Sequence, residues 1–107
     1  MTTLGEFEVL VLMATLRLGA VAYPPAVRAD IEQRTGRTVA RGAIYVTLDR
    51  LETKRLLSSA VEADTTGRGG RQRRVYRVSA KGLRALRRAL AAVERMRAGL
   101  EPVLNEP

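Results

Sequence analysis

The sequence lacks cysteine, histidine and tryptophan, and only 4% of its residues are aromatic. Without cysteine, a disulfide, a thiolate metal site and a cysteine nucleophile are all excluded. Without histidine, the commonest general base and the commonest metal ligand are missing. The acidic residues are scattered along the chain and form no close pair in a predicted cleft. We therefore expect no enzyme activity, no metal site and no cofactor.

Long apolar runs are also missing, because no stretch approaches the ~20 residues that cross a bilayer. The first residues, MTTLGEFE, lack the basic start of a signal peptide. These two absences predict a cytoplasmic protein that does not enter a membrane. At 107 residues and 46% hydrophobic content, the chain is long enough for one domain with a core. A domain this small buries a modest share of its surface, so oligomerisation would help it.

Acidic residues are few beside basic ones: 11 against 19, which gives a formal net charge of +8. Such a balance favours a polyanionic partner, either nucleic acid or an anionic membrane. All the basic residues except Lys54 and Lys81 are arginines. The planar guanidinium fork suits phosphates and guanine edges better than an ammonium does.

The first half of the chain predicts two helices. Residues 3–18 are apolar on most sides, which indicates a central helix that opens with a capping box of Thr3 and Glu6 and ends at Gly19. A second helix is expected over about residues 25–35, opened by a proline at its first turn and closed by Gly36.

A third helix is predicted over residues 40–54 with two dissimilar faces. Ile44, Leu48 and Leu51 recur at helical spacing and form the core face. The opposite face is small, aromatic and basic, which is unusual for an ordinary solvated helix. It carries Gly42, Tyr45, Val46 and Asp49, flanked by Arg41 and Arg50.

Two strands follow, over residues 56–62 and 73–79, and predict a β-hairpin. Around its tip the segment TTGRGGRQRRVYR, residues 65–77, contains five arginines and three glycines. No acid lies between Asp64 and Glu94, whereas nine basic residues do. Positive charge with no acid nearby in the sequence, at a glycine-rich turn, favours close approach to phosphates.

A last helix is expected from Ser79, its N-cap, to Leu104. Its leucines and valine repeat at a 3-4 spacing over about three heptads, interrupted at Arg97, which is the pattern of a helix that packs along another helix. The stripe could serve the core of one chain alone, but its length favours a dimer. The candidate dimer-interface residues are Phe7, Leu10, Leu86, Leu90, Val93 and Leu100.

The order of elements predicts a mainly α protein with a small β-hairpin: a winged helix-turn-helix over residues 1–79 and a C-terminal dimerisation helix over 80–107. The third helix of such a fold enters the major groove of duplex DNA, and the wing reaches the backbone or the minor groove. The candidate DNA contacts in and before the third helix are Thr38, Arg41, Gly42, Tyr45, Val46 and Arg50; those in the wing are Arg68, Gly69, Gly70, Arg71, Arg73 and Arg74. Two of these have ordinary alternatives, since Tyr45 could lie half-buried at the core rim and Arg50 could pair locally with Asp49 or Glu52.

The segments RGAIYVTLDRLETKRLL and GRGGRQRRVYRVSAKG resemble the PadR family of winged-helix transcriptional regulators. The resemblance runs from about Leu4 to Leu104. The single C-terminal helix is similar to that of the short-tailed branch of the family. It implies a homodimer held by the first and last helices, DNA binding through the third helix and wing, and usually repression. The chain departs from the family pattern at Ala40, where the family often has a serine or threonine cap, and at Arg55, where it commonly has glycine; Thr38 could cap instead.

A dimer would present its two recognition helices about one DNA turn apart, roughly 34 Å, so the expected partner is a palindromic operator in double-stranded DNA. The resemblance adds a possible small hydrophobic effector, because some members of the family bind flat hydrophobic molecules between subunits. Two other functions remain open from the residues alone. A winged helix of this charge could bind RNA or a ribosome, although single-stranded RNA binders usually offer several exposed aromatics. It could instead dock an acidic protein.

Overall fold

A computed structural model describes residues 3–63 and 72–107 of the chain. The described residues form five helices and one two-stranded antiparallel sheet. In chain order they are α1 (Glu6–Leu18), a 3₁₀ turn (Gly19–Val21), α2 (Pro24–Thr35), α3 (Arg41–Thr53), β1 (Leu57–Ala63), β2 (Gln72–Val78), α4 (Ala80–Arg97) and α5 (Glu101–Leu104). This order confirms the predicted winged helix-turn-helix with a C-terminal helix.

Helix α1 begins differently from the prediction. Its N-cap is Gly5, and the Gly5 amide donates to Oε1 of Glu8 at 2.9 Å. The predicted capping box of Thr3 and Glu6 is therefore wrong; Glu8 has the role expected of Glu6, two residues later. The other carboxylate oxygen of Glu8 accepts from Nζ of Lys54 at 2.9 Å, so one buried side chain joins the start of α1 to the end of α3.

The environment of Glu8 favours its charged form. Burial by itself raises the pKa of Glu8. The hydrogen bonds from the Gly5 amide and the Lys54 ammonium, with the positive charges of Lys54 and Arg50, act in the opposite direction and outweigh it. The pKa of Glu8 is therefore lower than its ordinary value.

Helix α2 starts and ends as its sequence predicts. Tyr23 is the extended N-cap residue and Pro24 takes the first helical position, where a missing amide costs nothing. At the other end Gly36 adopts a left-handed conformation, φ 74°, and its amide donates to the carbonyl of Glu32 at 2.9 Å. The chain can then turn sharply into α3.

Within the described residues, no side chain caps the N-terminus of helix α3. Ala40 is the N-cap, so neither the usual serine or threonine nor Thr38 supplies that bond. The helix ends in a Schellman motif: the Leu56 amide donates to the carbonyl of Leu51, and the Arg55 amide to that of Glu52. Arg55 holds the left-handed position, φ 63°, which explains why a glycine suits this site.

The hairpin places Ser59 opposite Tyr76 and Val61 opposite Arg74. Both strands are offset by a residue from their predicted bounds. On its other side β2 is tied to the helices, since the Tyr76 amide donates to the carbonyl of Ala22 at 3.0 Å. The base of the wing therefore keeps a fixed distance from the entrance of α2.

Helix α4 begins at Ser79, as predicted. The Ser79 hydroxyl accepts from the Gly82 amide at 3.0 Å and donates to the Arg55 carbonyl at 2.7 Å. Gly82 packs so closely that an added Cβ would lie 2.1 Å from the Leu56 carbonyl oxygen. The single helix expected to reach Leu104 is wrong: α4 ends at Arg97, and the chain bends through Gly99, φ 85°, before the one-turn α5.

The core lies where α1, α2, α3, the wing base and the first turns of α4 meet. Leu12, Ile44, Leu48, Leu51 and Leu56 are fully buried in it. The inward line of α3 is thus the predicted one. Beyond Ala89, every residue of α4 and α5 is exposed.

Candidate nucleic-acid interface

The outer face of α3 is exposed opposite its buried line. Tyr45 is 42% and Val46 57% exposed, although both are large apolar or aromatic side chains. Thr38, Arg41, Gly42 and Arg50 are exposed as well. The two faces predicted for α3 are therefore separated as expected. Tyr45 lies on the exposed face and is not one of the buried core residues.

Arg41 and Tyr45 form a pair on this face. They are one helical turn apart, and the Arg41 guanidinium carbon lies 5.8 Å from the centroid of the Tyr45 ring. That distance is within the range of a cation–π contact. A cation at a helix N-terminus opposes the helix dipole, so a nearby anion would stabilise Arg41.

The turn before α3 is held by two side chains of α2 that sequence reasoning did not single out. Nε of Arg28 donates to the Val39 carbonyl at 2.7 Å, and the Val39 amide donates to Oε2 of Glu32 at 2.9 Å. Both backbone groups of one residue are thereby fixed. These hydrogen bonds fix the positions of Thr38 and Arg41 at the start of α3. In the sequence they were indicated only by the spacing of Arg28 and Glu32, which are one helical turn apart.

Of the DNA-binding residues predicted for the wing, Arg73 and Arg74 lie within the described part of the chain. The Arg73 guanidinium carbon lies 4.4 Å from the centroid of the Tyr23 ring. Arg74 donates through Nη1 to the Ser59 hydroxyl at 2.9 Å, and that hydroxyl donates to Oε2 of Glu52 at 2.6 Å. The predicted wing residues Arg68, Gly69, Gly70 and Arg71 lie outside the described residues.

A cleft of about 790 Å³ separates the wing from the helix-turn-helix. It is lined by Arg41 and Tyr45 from α3, by Arg73 and Arg74 from β2, and by Tyr23 with the two prolines that follow it. Four of the predicted DNA-binding residues thus share one cavity. Thr38, Gly42, Val46 and Arg50 lie on α3 or the turn before it but do not line this cleft. Tyr23 is a member that the sequence did not reveal.

The chemistry of this cleft suits a chain of phosphates. Arginines from two separate elements face one space, so their charges add where the cavity is, and tyrosine rings lie against two of them. Arginine and tyrosine side chains are among the groups that contact nucleic-acid phosphates, so the residue types of this cleft are compatible with that partner. The remaining α3 face extends this surface along the helix.

The predicted dimer-interface residues divide into three groups by their exposure in one chain. Leu86 is 3% exposed within its own chain, so it belongs to the core and has little surface left for a partner. Phe7 and Leu10 are half-buried on α1. Leu90, Val93 and Leu100 are 38%, 59% and 48% exposed, and Met96 beside them is 78% exposed. Arg97, which interrupts the apolar spacing, lies 3.8 Å from a Glu94 carboxylate oxygen.

Comparison with known proteins identifies the chain. The model of the transcriptional regulator PadR-like family matches residues 18–88, from the end of α1 into α4. The chain belongs to the PadR-like family. This is a family of transcriptional regulators and not of enzymes, and its members bind DNA. Among curated proteins, none matches the sequence significantly.

Solved structures of PadR-family regulators share the fold. A PadR family transcriptional regulator from Eggerthella lenta DSM 2243 is 26% identical, with a TM-score of 0.70 over 95% of this chain and 88% of that one. A PadR family regulator from Clostridium difficile R20291 is 18% identical, with a TM-score of 0.74 over 94% of this chain and 100% of that one. A PadR-like regulator from Bacillus cereus ATCC 14579 is 19% identical, with a TM-score of 0.71 over 92% and 94%.

Across residues 3–63 and 72–107, none of the helices combines the length and the apolar character that a membrane span needs.

Proposed function

We propose that this PadR-family regulator is a dimeric repressor that recognises a palindromic operator in double-stranded DNA. The observation that carries the proposal is the cleft, in which Arg41 and Tyr45 of α3 face Arg73 and Arg74 of the wing. The exposed face of α3 would read base edges in the major groove, and the wing arginines would bind phosphates or the minor groove.

The dimer is supported by the apolar side chains that one chain leaves exposed. Leu90, Val93, Met96 and Leu100 project from the C-terminal helix, and monomeric proteins rarely expose such a contiguous patch. A two-fold dimer through this helix and α1 would present two α3 helices about one DNA turn, roughly 34 Å, apart. A regulator acts where its DNA is, so the cytoplasm is the expected location.

One groove of the chain has the size to hold a small hydrophobic effector. A groove of about 530 Å³ lies between α1 and α4, lined by Leu4, Val9, Ala85, Ala89 and Leu90 among others. The chain has no tryptophan to stack on a flat ligand, which lowers the expectation of such binding. We assign no effector.

The test of DNA binding replaces Arg68, Arg71, Arg73 and Arg74 together with glutamine. We expect weaker binding to every duplex and a shallower dependence of affinity on salt, by about 0.9 in log–log slope for each phosphate that is no longer neutralised. The matched control removes four positive charges from α4 instead, at Arg84, Arg87, Arg88 and Arg95, which are all exposed. It should leave most of the slope in place.

Changing Arg41 or Tyr45 should alter which sequences are preferred, because these residues would face base edges. Competition between duplex DNA and structured RNA separates the proposal from RNA binding: preference for RNA contradicts it. Docking of an acidic protein predicts no duplex affinity beyond the ~10⁻⁴–10⁻⁶ M of non-specific binding at physiological salt. A quadruple wing variant that binds as tightly as the wild type at every salt concentration also contradicts the proposed role of the wing.

A further inference from the structure

Tyr23 is fixed by its backbone on both sides. It is the N-cap of α2, its own amide donates to the Val21 carbonyl at 2.9 Å, and its carbonyl accepts from the Val27 amide at 2.9 Å. A residue before proline is restricted to extended conformations, and Tyr23 with φ −89° and ψ 155° is extended. The ring therefore projects from a rigid point at the end of the cleft.

The strand that carries Arg73 is tied to that same point. The Tyr76 amide donates to the carbonyl of Ala22, the residue directly before Tyr23. Arg73 lies three residues before Tyr76 in β2, and its guanidinium carbon stacks 4.4 Å from the Tyr23 ring centroid. Ring and guanidinium are thus brought together by backbone bonds that do not involve either side chain.

We infer that Tyr23 is a positioning residue that orients the wing arginine Arg73 toward the strand of DNA crossing the cleft. The inference deepens the proposed function and rests on it. An unrestrained arginine loses considerable rotamer freedom when it binds, which weakens the contact. Stacking uses the flat face of the guanidinium, whereas a phosphate is bound by the N–H donors at its edge. The contact with Tyr23 is one restraint on the Arg73 guanidinium before DNA binds, and Arg41 lines the same cleft.

The test is a double-mutant cycle of Tyr23→Leu and Arg73→Gln on the full chain, with Tyr23→Phe as the matched control, measured by binding to one selected duplex. Loss of the ring should weaken binding about two- to fivefold, as expected for an exposed cation–π contact. Tyr23→Phe keeps the ring and should bind like the wild type. Tyr23→Leu keeps every charge and so should keep the salt slope, whereas Arg73→Gln should lower it by about 0.9.

The decisive comparison is the double variant. If Tyr23 acts through Arg73, Tyr23→Leu has no further effect once Arg73 is glutamine. Equal losses in both backgrounds would show a general structural role, and a Tyr23→Phe variant as weak as Tyr23→Leu would show that the hydroxyl itself contacts DNA; either overturns the inference. The proposed function fails separately, through a wild-type chain that does not bind duplex DNA specifically.

Discussion

The winged-helix body and the C-terminal helix differ in how their side chains are used. In the body, side-chain hydrogen bonds hold three junctions: Arg28 and Glu32 bond Val39, Glu8 joins α1 to Lys54, and Ser79 bonds Arg55. From Leu90 onward, by contrast, all residues are exposed, including several large apolar ones. The body can define its own shape, whereas the C-terminal segment has apolar surface that one chain does not cover.

The largest expected effect comes from the exposed segment. Replacing Leu90 and Val93 with glutamate should raise the dissociation constant of the proposed dimer by more than about a hundredfold. Each buried leucine or valine contributes about 1.5–3 kcal/mol, and a two-fold dimer carries each substitution in both subunits. Sedimentation equilibrium measures this directly.

Ala91→Glu with Arg95→Glu is the control pair, since these positions lie on another face of α4. The control should leave the dissociation constant of the proposed dimer unchanged. If both pairs leave the mass of the particle in solution unchanged, the contrast between body and C-terminal segment has no bearing on assembly.

The junction between the two regions predicts the next effect. Gly82→Ala should destabilise the fold by about 1–3 kcal/mol, because its Cβ would collide with the Leu56 carbonyl oxygen and push α4 from the body. Gly42→Ala in the exposed face of α3 meets no atom within 4 Å and should instead stabilise by about 0.5–1 kcal/mol. Urea unfolding of both variants gives the two free energies; equal values would contradict the packing described.

A smaller effect sharpens the description of the body. Arg55→Gly should stabilise the fold by about 0.5–1 kcal/mol, since the left-handed conformation costs an L-residue about 1–2 kcal/mol and glycine nothing comparable. The same change at Arg84, inside α4, should cost about 0.5–1 kcal/mol. Thermal unfolding compares the two, and a destabilised Arg55→Gly variant would be inconsistent with the Schellman ending of α3.

The smallest effect is a pH dependence. The pKa of Glu8 is lowered in the folded chain, so the unfolded chain binds its proton first and the stabilisation by the charged carboxylate is present above the unfolded pKa of about 4.3. It is lost as the pH falls below that value. The wild type should therefore lose its advantage over Glu8→Gln between neutral pH and pH 3. A difference in unfolding free energy that stays constant over this range would contradict the bonding of Glu8.

The sequence was informative where one local rule decides the structure. Four predictions each follow from local chemistry, and all are confirmed: a proline at the first position of α2, Gly36 after that helix, Ser79 before α4, and the buried line of Ile44, Leu48 and Leu51. The predicted start of α1 was wrong because either Glu6 or Glu8 could complete a capping box. The hydrogen bond from Lys54 to Glu8 favours Glu8.

The remaining features could not be predicted, because they depend on contacts between residues that are far apart in the sequence. Spacing in α4 is the same for Leu86, which is core, and for Leu90, which is exposed, so periodicity cannot separate an internal face from an interface. Tyr23 gave no signal because its partner Arg73 lies far away in the chain, on the second strand of the hairpin. The fold class was enough to predict that Arg41, Tyr45, Arg73 and Arg74 lie near one another. It did not predict the hydrogen bonds that Arg28 and Glu32 make with Val39.

Hydroxyl-radical footprinting on a duplex selected from random DNA tests the central claim most directly. We expect two protected segments related by two-fold symmetry, with centres about one helical turn, roughly 34 Å, apart. A single protected segment, or a selection that enriches no duplex sequence, would contradict it.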